Sequence, residues 1–498
     1  MEKIKRVGIS GWLIFLLLLI GINGILLWAD HHPMFCFGDS SSYIWTALTG
    51  WLPTDRSFVY GYFIRLVAVT TESLTSLVVI QVLLGCVTSI VMAHLLIRYF
   101  RVRLWLAFIM ALLTSLEPLQ LLYARYVMTE TLALTIFVFY VWVVLHYLED
   151  PRIKWLGLIQ GIAVLLISIR FSFIPMVWIC APATPVLAFP AIAAKARLAG
   201  VKTISRIAWH VVMSVFLLFL FTTAYKHIHG YLQHKPPAYS YDSGFFAMSY
   251  IIPMLEPGDF ADKTLGGQVL SELRFPIADR RARAAHRWME GGAVSRLQKL
   301  EPDRMKADAI AREAAFHAVI HKPLAFLKLG WQTSTDYFDQ DCLRSSMETN
   351  LGNRRLEDEF HKLIKTRFHY SSDKSSALDL KTITGQYFLQ SGHWIQLLLF
   401  LPLVWGFLLV FTRDTGQRRK ILMMVLISLI FVGAVLFLAE LPAPRYLHIP
   451  AWLACMAAGV VLNHVLPRQS LVHLPQGDKK NGCRSINKIK NSREYYRK

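Results

Sequence analysis

Thirteen ionisable residues of this chain stand at or just beyond the ends of long apolar runs: Asp30, Asp39, Asp55, Arg56, Arg65, Glu72, Glu117, Arg125, Glu130, Arg170, Lys226, Glu440 and Arg445. A charge at the edge of a hydrocarbon layer is costly to place, so each is a candidate for function. Asp39, in Phe-Gly-Asp-Ser-Ser-Ser-Tyr, and Glu130, in Tyr-Val-Met-Thr-Glu-Thr-Leu, are acids of the kind that can take a proton from an incoming hydroxyl. The arginines suit phosphate, which a guanidinium grips through two parallel hydrogen bonds. Together they describe a site that holds a lipid-linked phosphate while a carboxylate deprotonates an acceptor.

Each residue also has a plainer explanation. Asp39 precedes Ser-Ser-Ser-Tyr and reads as a helix N-cap. Glu130 opens an apolar helix, where a carboxylate favours the macrodipole. Arg170 and Arg445 can reach lipid headgroups along their aliphatic stems.

The elements that would position these residues follow from composition. Of 498 residues 54% are hydrophobic and 17% charged, and mean hydropathy is +0.41. A soluble domain carries about a quarter charged residues. The apolar residues come in blocks of about 20, the length of a helix crossing a hydrocarbon core, and in lipid only internally bonded backbone is tolerated. The pattern predicts an all-α polytopic membrane protein with about ten transmembrane helices, at 9–29, 75–97, 104–120, 130–148, 155–170, 173–193, 207–226, 394–412, 421–440 and 446–466. The first lacks a small-residue cleavage site and reads as a signal anchor.

Charge predicts the orientation. With the N-terminus inside, segments 1–8, 98–103, 149–154, 195–206, 413–420 and 467–498 face the cytoplasm and hold 25 Lys/Arg against 6 Asp/Glu. The long segment 227–393 holds 22 basic and 20 acidic residues. That asymmetry is the positive-inside pattern, so the net charge of +20 reports topology and anionic headgroups, with no nucleic-acid partner implied. Four parts are expected: a seven-helix transmembrane module (1–226) that carries the candidate site, with an outer loop at 30–74, an extracytoplasmic domain (227–393), three C-terminal spans (394–466) and a basic cytoplasmic tail (467–498).

Within the outer loop, Ser40–Leu48 and Phe58–Val69 read as short amphipathic helices separated by Gly50 and Pro53. The 227–393 domain is expected to be mainly helical, with helices at Ala278–Lys299, Arg304–His321, Leu327–Phe338 and Asn353–Phe368 after an irregular entry from His234 to Gly258. Cys36 and Cys342 both fall on the outer side, where a disulfide between them is permitted. The absence of any Asn-x-Ser/Thr sequon suits a bacterial envelope.

These residues resemble the GT-C type glycosyltransferases, polytopic enzymes that use polyprenyl-phosphate sugars and include the lipid A aminoarabinose transferases and the protein O-mannosyltransferases. The resemblance lies in Gly38-Asp39-Ser-Ser-Ser-Tyr43 with Asp55-Arg56-Ser-Phe-Val-Tyr60, in Glu117-Pro118 with Tyr126-Val-Met-Thr-Glu130, in Gly157…Gly161 running to Arg170, and in Glu440-Leu-Pro-Ala-Pro-Arg445-Tyr446. Arg312-Glu-Ala-Ala-Phe-His-Ala-Val-Ile-His-Lys-Pro323 followed by Phe326 is similar to a segment of their outer domain. It implies a GT-C type bundle in the inner (plasma) membrane with both termini cytoplasmic, and transfer of a sugar with inversion to a lipid, glycan or protein acceptor. Asp39 would act as base with Glu130 beside it. Arg56, Arg125, Lys226 and Arg445 would receive the phosphate, and Tyr60 and Tyr446 would position substrates. No cofactor is required, or else a divalent cation (Mg or Mn) sits on Asp39 and Glu130; a single Asp at 39, where some relatives have an Asp-Glu pair, leaves both open. The competing readings are a flippase or transporter of a lipid-linked substrate, and an O-antigen ligase-like enzyme with a diphosphate donor. A purely structural membrane scaffold also stays open.

Overall fold

The computed structural model describes residues 9–36, 38–198, 202–351, 356–370 and 383–466; the basic tail expected at 467–498 lies outside them. Among the described residues the chain is all-helical, its one β-type pairing being an isolated parallel bridge between Met34 and Tyr126. In the membrane-spanning first part the helices are α1 (Ile9–Ala29), α2 (Asp39–Thr49), α3 (Val59–Ile64), α4 (Leu74–Tyr99), α5 (Leu104–Ser115), α6 (Pro118–Tyr123), α7 (Glu130–Glu149), α8 (Ile153–Ile169), α9 (Ile174–Leu187), α10 (Phe189–Leu198) and α11 (Thr203–Gln233). The stretch expected as an extracytoplasmic domain contains α12 (Ser243–Ile251), α13 (Lys263–Leu270), α14 (Arg283–Trp288), α15 (Ala293–Leu300), α16 (Arg304–His321), α17 (Pro323–Asp336), α18 (Gln340–Asn350) and α19 (Asp358–Phe368). The chain returns through α20 (Ile383–Leu389), α21 (Gly392–Leu398), α22 (Leu401–Phe411), α23 (Thr415–Phe437) and α24 (Pro444–Val465).

The protein is a multi-pass membrane protein, with six to eight candidate spans among the described residues where about ten were expected. Among the described residues six helices are long and apolar enough to cross: α1, α4, α7, α11, α23 and α24. The expected spans at 173–193 and 394–412 are helix pairs, bent by 43° between α9 and α10 and by 52° between α21 and α22. Pro182 and Pro185 lie inside α9, and Pro402 sits at the start of α22; proline removes a backbone donor and redirects a helix. The runs at 104–120 and 155–170 become α5, of 12 residues, and α8, of 17. At 1.5 Å per residue α5 is about 18 Å long, and Glu117 and Pro118 end the run by capping and opening α6.

Burial orders the bundle. α7 is apolar on nearly all faces and buried among α4, α8, α9, α23 and α24, as expected of a helix without a polar stripe. α1 and α11 lie outside, with Leu17, Ile25, Phe216 and Phe219 exposed. With 31 residues, α11 is about 46 Å long, longer than a hydrocarbon core of ~30 Å is thick. The central α7 therefore carries Glu130 at its first turn, next to the start of α24, which carries Arg445.

Two expectations about the domain change. The helix predicted over Ala278–Lys299 is split into α14 and α15, because Gly291 adopts φ +81° and a Cβ on Gly292 would fall on the backbone of His286. The segment expected to be irregular contains α12, which lies so close to α16 that a Cβ on Gly244 would meet the backbone of Asp308. Cys36 and Cys342 are both free. Leu343 and Met347 turn α18's buried face toward the cluster that Cys36 packs against; Cys342, one residue earlier, points about 100° away around the helix.

Candidate active site

Asp39 reaches the rim of the bundle because the first loop is stapled to the loop before α7. Met34 N–H donates to the Arg125 carbonyl (2.9 Å), Val127 N–H to the Met34 carbonyl (2.9 Å) and the Ser40 hydroxyl to the Val127 carbonyl (3.0 Å). Gly38 then turns the chain at φ +77° into α2, a conformation that glycine adopts without strain. Asp39 is the first residue of α2, but neither it nor Gly38 makes a side-chain cap. Its carboxylate is spent elsewhere: Arg56 Nη1 donates to Oδ1 (2.9 Å) and Arg445 Nη1 to Oδ2 (2.9 Å). The three side chains are 24%, 15% and 27% exposed, so the cluster is partly accessible.

Both arginines are oriented by further partners. Arg56 is also held by Asp55 (Nε–Oδ1 3.0 Å, Nη2–Oδ2 2.5 Å) and by the Ser42 hydroxyl (2.9 Å), with its guanidinium 5.4 Å from the Tyr43 ring centre. Arg445 donates to the Tyr446 hydroxyl (3.0 Å). The Tyr446 ring lies 5.5 Å from the Arg170 guanidinium, and Arg170 Nη1 donates to Glu130 Oε1 (2.9 Å). A continuous polar chain therefore runs from Asp55 through Arg56, Asp39, Arg445, Tyr446 and Arg170 to Glu130. Glu130 is 1% exposed, and its Oε2 has no partner among the described residues; such an oxygen in a buried site leaves a hydrogen-bond acceptor unused.

Burial pushes the Asp39 carboxyl up, but the charges and hydrogen bonds of Arg56 and Arg445 outweigh it and bring it from 3.8 down to about 2. Burial, with the Asp39 charge adding to it, pushes the neighbouring Cys36 thiol up to about 12, which favours its protonated form.

The following domain adds residues that sequence reasoning did not single out. The Ser249 hydroxyl donates to Glu440 Oε1 (2.7 Å) and Arg287 Nη1 to the same atom (3.2 Å). Tyr250, the next residue of α12, is half-buried. Glu440 was visible as a rim acid. Ser249, Tyr250 and Arg287 were not, since they come from helices in a segment whose charges nearly balance.

The remaining candidates lie apart from this chain. Arg125 is 1% exposed, and its guanidinium is spent on Asp30 (3.0 Å) and on the carbonyls of Asp30, Leu26 and Leu121, tying α1 to α6. Tyr60 is buried; its hydroxyl donates to Gln81 Oε1 (2.8 Å), and its ring meets Tyr43 edge-on at 4.9 Å, which fastens α3 beneath α2. Lys226 lies 4.2 Å over the Tyr239 ring, in an aromatic group with Tyr225 and Phe171.

Asp39 and Glu130 do not offer a divalent cation a ligand set in this arrangement. A hard cation takes six or more oxygens, both Asp39 oxygens face guanidinium groups that repel it, and among the described residues no cluster of three or more His, Cys, Asp or Glu forms.

No protein-family model and no curated protein matches the chain. Two crystal structures of ArnT from Cupriavidus metallidurans align with 91% of this chain and 78% of theirs, at 11% identity: the apo state with a TM-score of 0.33 and the state bound to undecaprenyl phosphate with 0.34. Likeness at that level carries no functional weight.

Proposed function

We propose that this protein is an integral membrane glycosyltransferase that moves a sugar from a polyprenyl-phosphate donor to an acceptor at the extracytoplasmic rim, with both termini cytoplasmic. The observation that carries the reading is one carboxylate, Asp39, bridging two guanidinium groups from distant parts of the chain at a partly open site.

Arg56 and Arg445 are preformed donors for the lipid-carrier phosphate, a diester while it carries the sugar and a monoester once the sugar has left. A phosphate entering between them competes with Asp39 for the same N–H groups. As it takes them, Asp39 loses the contacts that hold its pKa near 2, regains a free lone pair and becomes a stronger base. Donor binding thus switches the base on. The acceptor oxygen attacks the anomeric carbon as its proton passes to Asp39. The bond from that carbon to the phosphate oxygen breaks, its electron pair stays on the phosphate, and a single displacement inverts the centre. The departing dianion is stabilised by the two guanidinium groups in a site largely shielded from water. In this reading Glu130 Oε2, an unused acceptor among the described residues, accepts from a hydroxyl of the sugar or the acceptor.

The test is a deletion strain whose surface glycans and glycolipids are compared with those of its parent, complemented with the wild type or with Asp39→Asn. Loss of one sugar modification, restored by the wild type alone, supports the reading; restoration by Asp39→Asn refutes Asp39 as base. Donor activity of polyprenyl monophosphate sugars in membranes, with none from diphosphates, separates it from an O-antigen ligase-like reaction.

A further inference from the structure

The corner between α16 and α17 is built the wrong way round for a domain surface in water. Leu324 (79% exposed), Leu327 (54%) and Trp331 (71%) point outward from α17, three and four residues apart on one face. The face turned inward carries Leu329, Gly330, Thr333 and Asp336. α16 changes character along its length: Arg304, Lys306, Arg312 and Glu313 are exposed in its earlier turns, Phe316 and Ile320 near its end.

What lies next to this face identifies what covers it. Gly330 is pressed on Phe437, the last residue of α23, with no room for a Cβ. The Phe326 and Phe437 rings are 5.3 Å apart, and Phe338, just past α17, meets Phe400 at the head of α22 at 6.0 Å. α17 therefore lies against the ends of two membrane-spanning elements. These expose Leu403, Phe407 and Leu429, side chains that only lipid tails can surround. The apolar face of α17 continues that lipid-facing belt. A tryptophan and an exposed lysine, Trp331 and Lys328, suit headgroup depth.

We infer that α17 and the last turn of α16 are seated in the lipid–water boundary of the leaflet on the domain's side, with Leu324, Leu327 and Trp331 against acyl chains. The inference does not depend on the proposed reaction, but it bears on the site. Directly after α17, the Tyr337 hydroxyl accepts from Ala443 N–H (3.0 Å), and the Ser346 hydroxyl of α18 donates to the Pro442 carbonyl. Glu440 and Arg445 flank those two residues. A bilayer-anchored α17 thus steadies the segment that presents Arg445 to Asp39.

The experiment uses the full chain in phosphatidylcholine–phosphatidylglycerol nanodiscs, with Cys36, Cys342 and Cys483 replaced by Ser. Nitroxide labels are attached at Leu324→Cys, Leu327→Cys and Trp331→Cys, with Lys306→Cys and Arg312→Cys as references. Collisional relaxation by oxygen and by a water-soluble nickel chelate is then measured. Labels at 324, 327 and 331 are expected to favour oxygen by several-fold over the references. Nickel accessibility equal to the references would mean a water-exposed surface and overturn the inference. Labels shielded from both reagents would mean a protein partner or second copy on this face, and would overturn it equally.

Discussion

Replacing Asp39 by Asn separates two effects that most site substitutions confound. In the free protein the carboxylate occupies both Arg56 and Arg445, so it inhibits anion binding even as it preorganises the two donors. Removing its charge should abolish transfer and tighten phosphate binding together. A unit charge about 5 Å from the phosphate at an effective dielectric constant of about 20 contributes roughly 3 kcal/mol, which is about a hundredfold in affinity. Asp39 is 24% exposed, so solvent screening reduces this to roughly tenfold or somewhat more. The assay is calorimetric titration of the full chain in nanodiscs with dimethylallyl phosphate, a water-soluble prenyl monophosphate, at neutral pH and at two salt concentrations. The Asp39→Asn protein should bind more tightly than the wild type, with the gain shrinking in high salt. Equal or weaker binding would show that Asp39 does not compete for the arginines, and the substrate-switched base would be refuted.

Three further outcomes are expected. Because folding lowers the Asp39 pKa from 3.8 to about 2, its ionised form stabilises the native state above pH 4. That contribution, on the order of 2 kcal/mol, is lost as pH falls from about 4 to 2, so thermal unfolding followed against pH should steepen there in the wild type and not in Asp39→Asn. Glu130→Gln strands Arg170 in a site where the two are 1% and 9% exposed and should cost about 3–5 kcal/mol; a Glu130→Gln, Arg170→Met double variant should recover part of it, and additive losses would argue against their coupling. Gly244→Ala drives a methyl into the Asp308 and Arg312 backbone and should destabilise by roughly 1–3 kcal/mol or more. Gly258→Ala, with open space around it, should leave the melting temperature nearly unchanged.

Much of the architecture was legible because lipid imposes a one-dimensional rule. A block of apolar residues long enough to cross must be helical, whatever it packs against, so each of the ten segments corresponds to an apolar helix or a bent helix pair. The same rule does not reveal where a helix bends or stops. Glu117-Pro118 in one run and the prolines of α9 in another were present in the sequence, but their effect depends on what neighbouring helices leave room for. The loop helices around Gly50 and Pro53 were legible for the ordinary reason that glycine there takes φ +78° and ends α2.

The sequence alone could nominate the rim charges, because charges are scarce in such a chain and each one at a span's end is conspicuous. It could not sort them. Arg125 and Arg445 were nominated on identical grounds. The fold buries the first against the Asp30 carboxylate and carbonyls of α1 and α6, where it ties helices together, and turns the second onto a carboxylate 406 residues away in sequence at a partly exposed site. Arg287 and Tyr250 were invisible, since nothing in a charge-balanced domain marks the residues that will meet the membrane rim. Hydropathy is a property of each residue and its near neighbours, so it can be read along the chain. Whether a guanidinium finds a carbonyl, a carboxylate or a ligand depends on which distant helices share a wall, and only tertiary packing decides that.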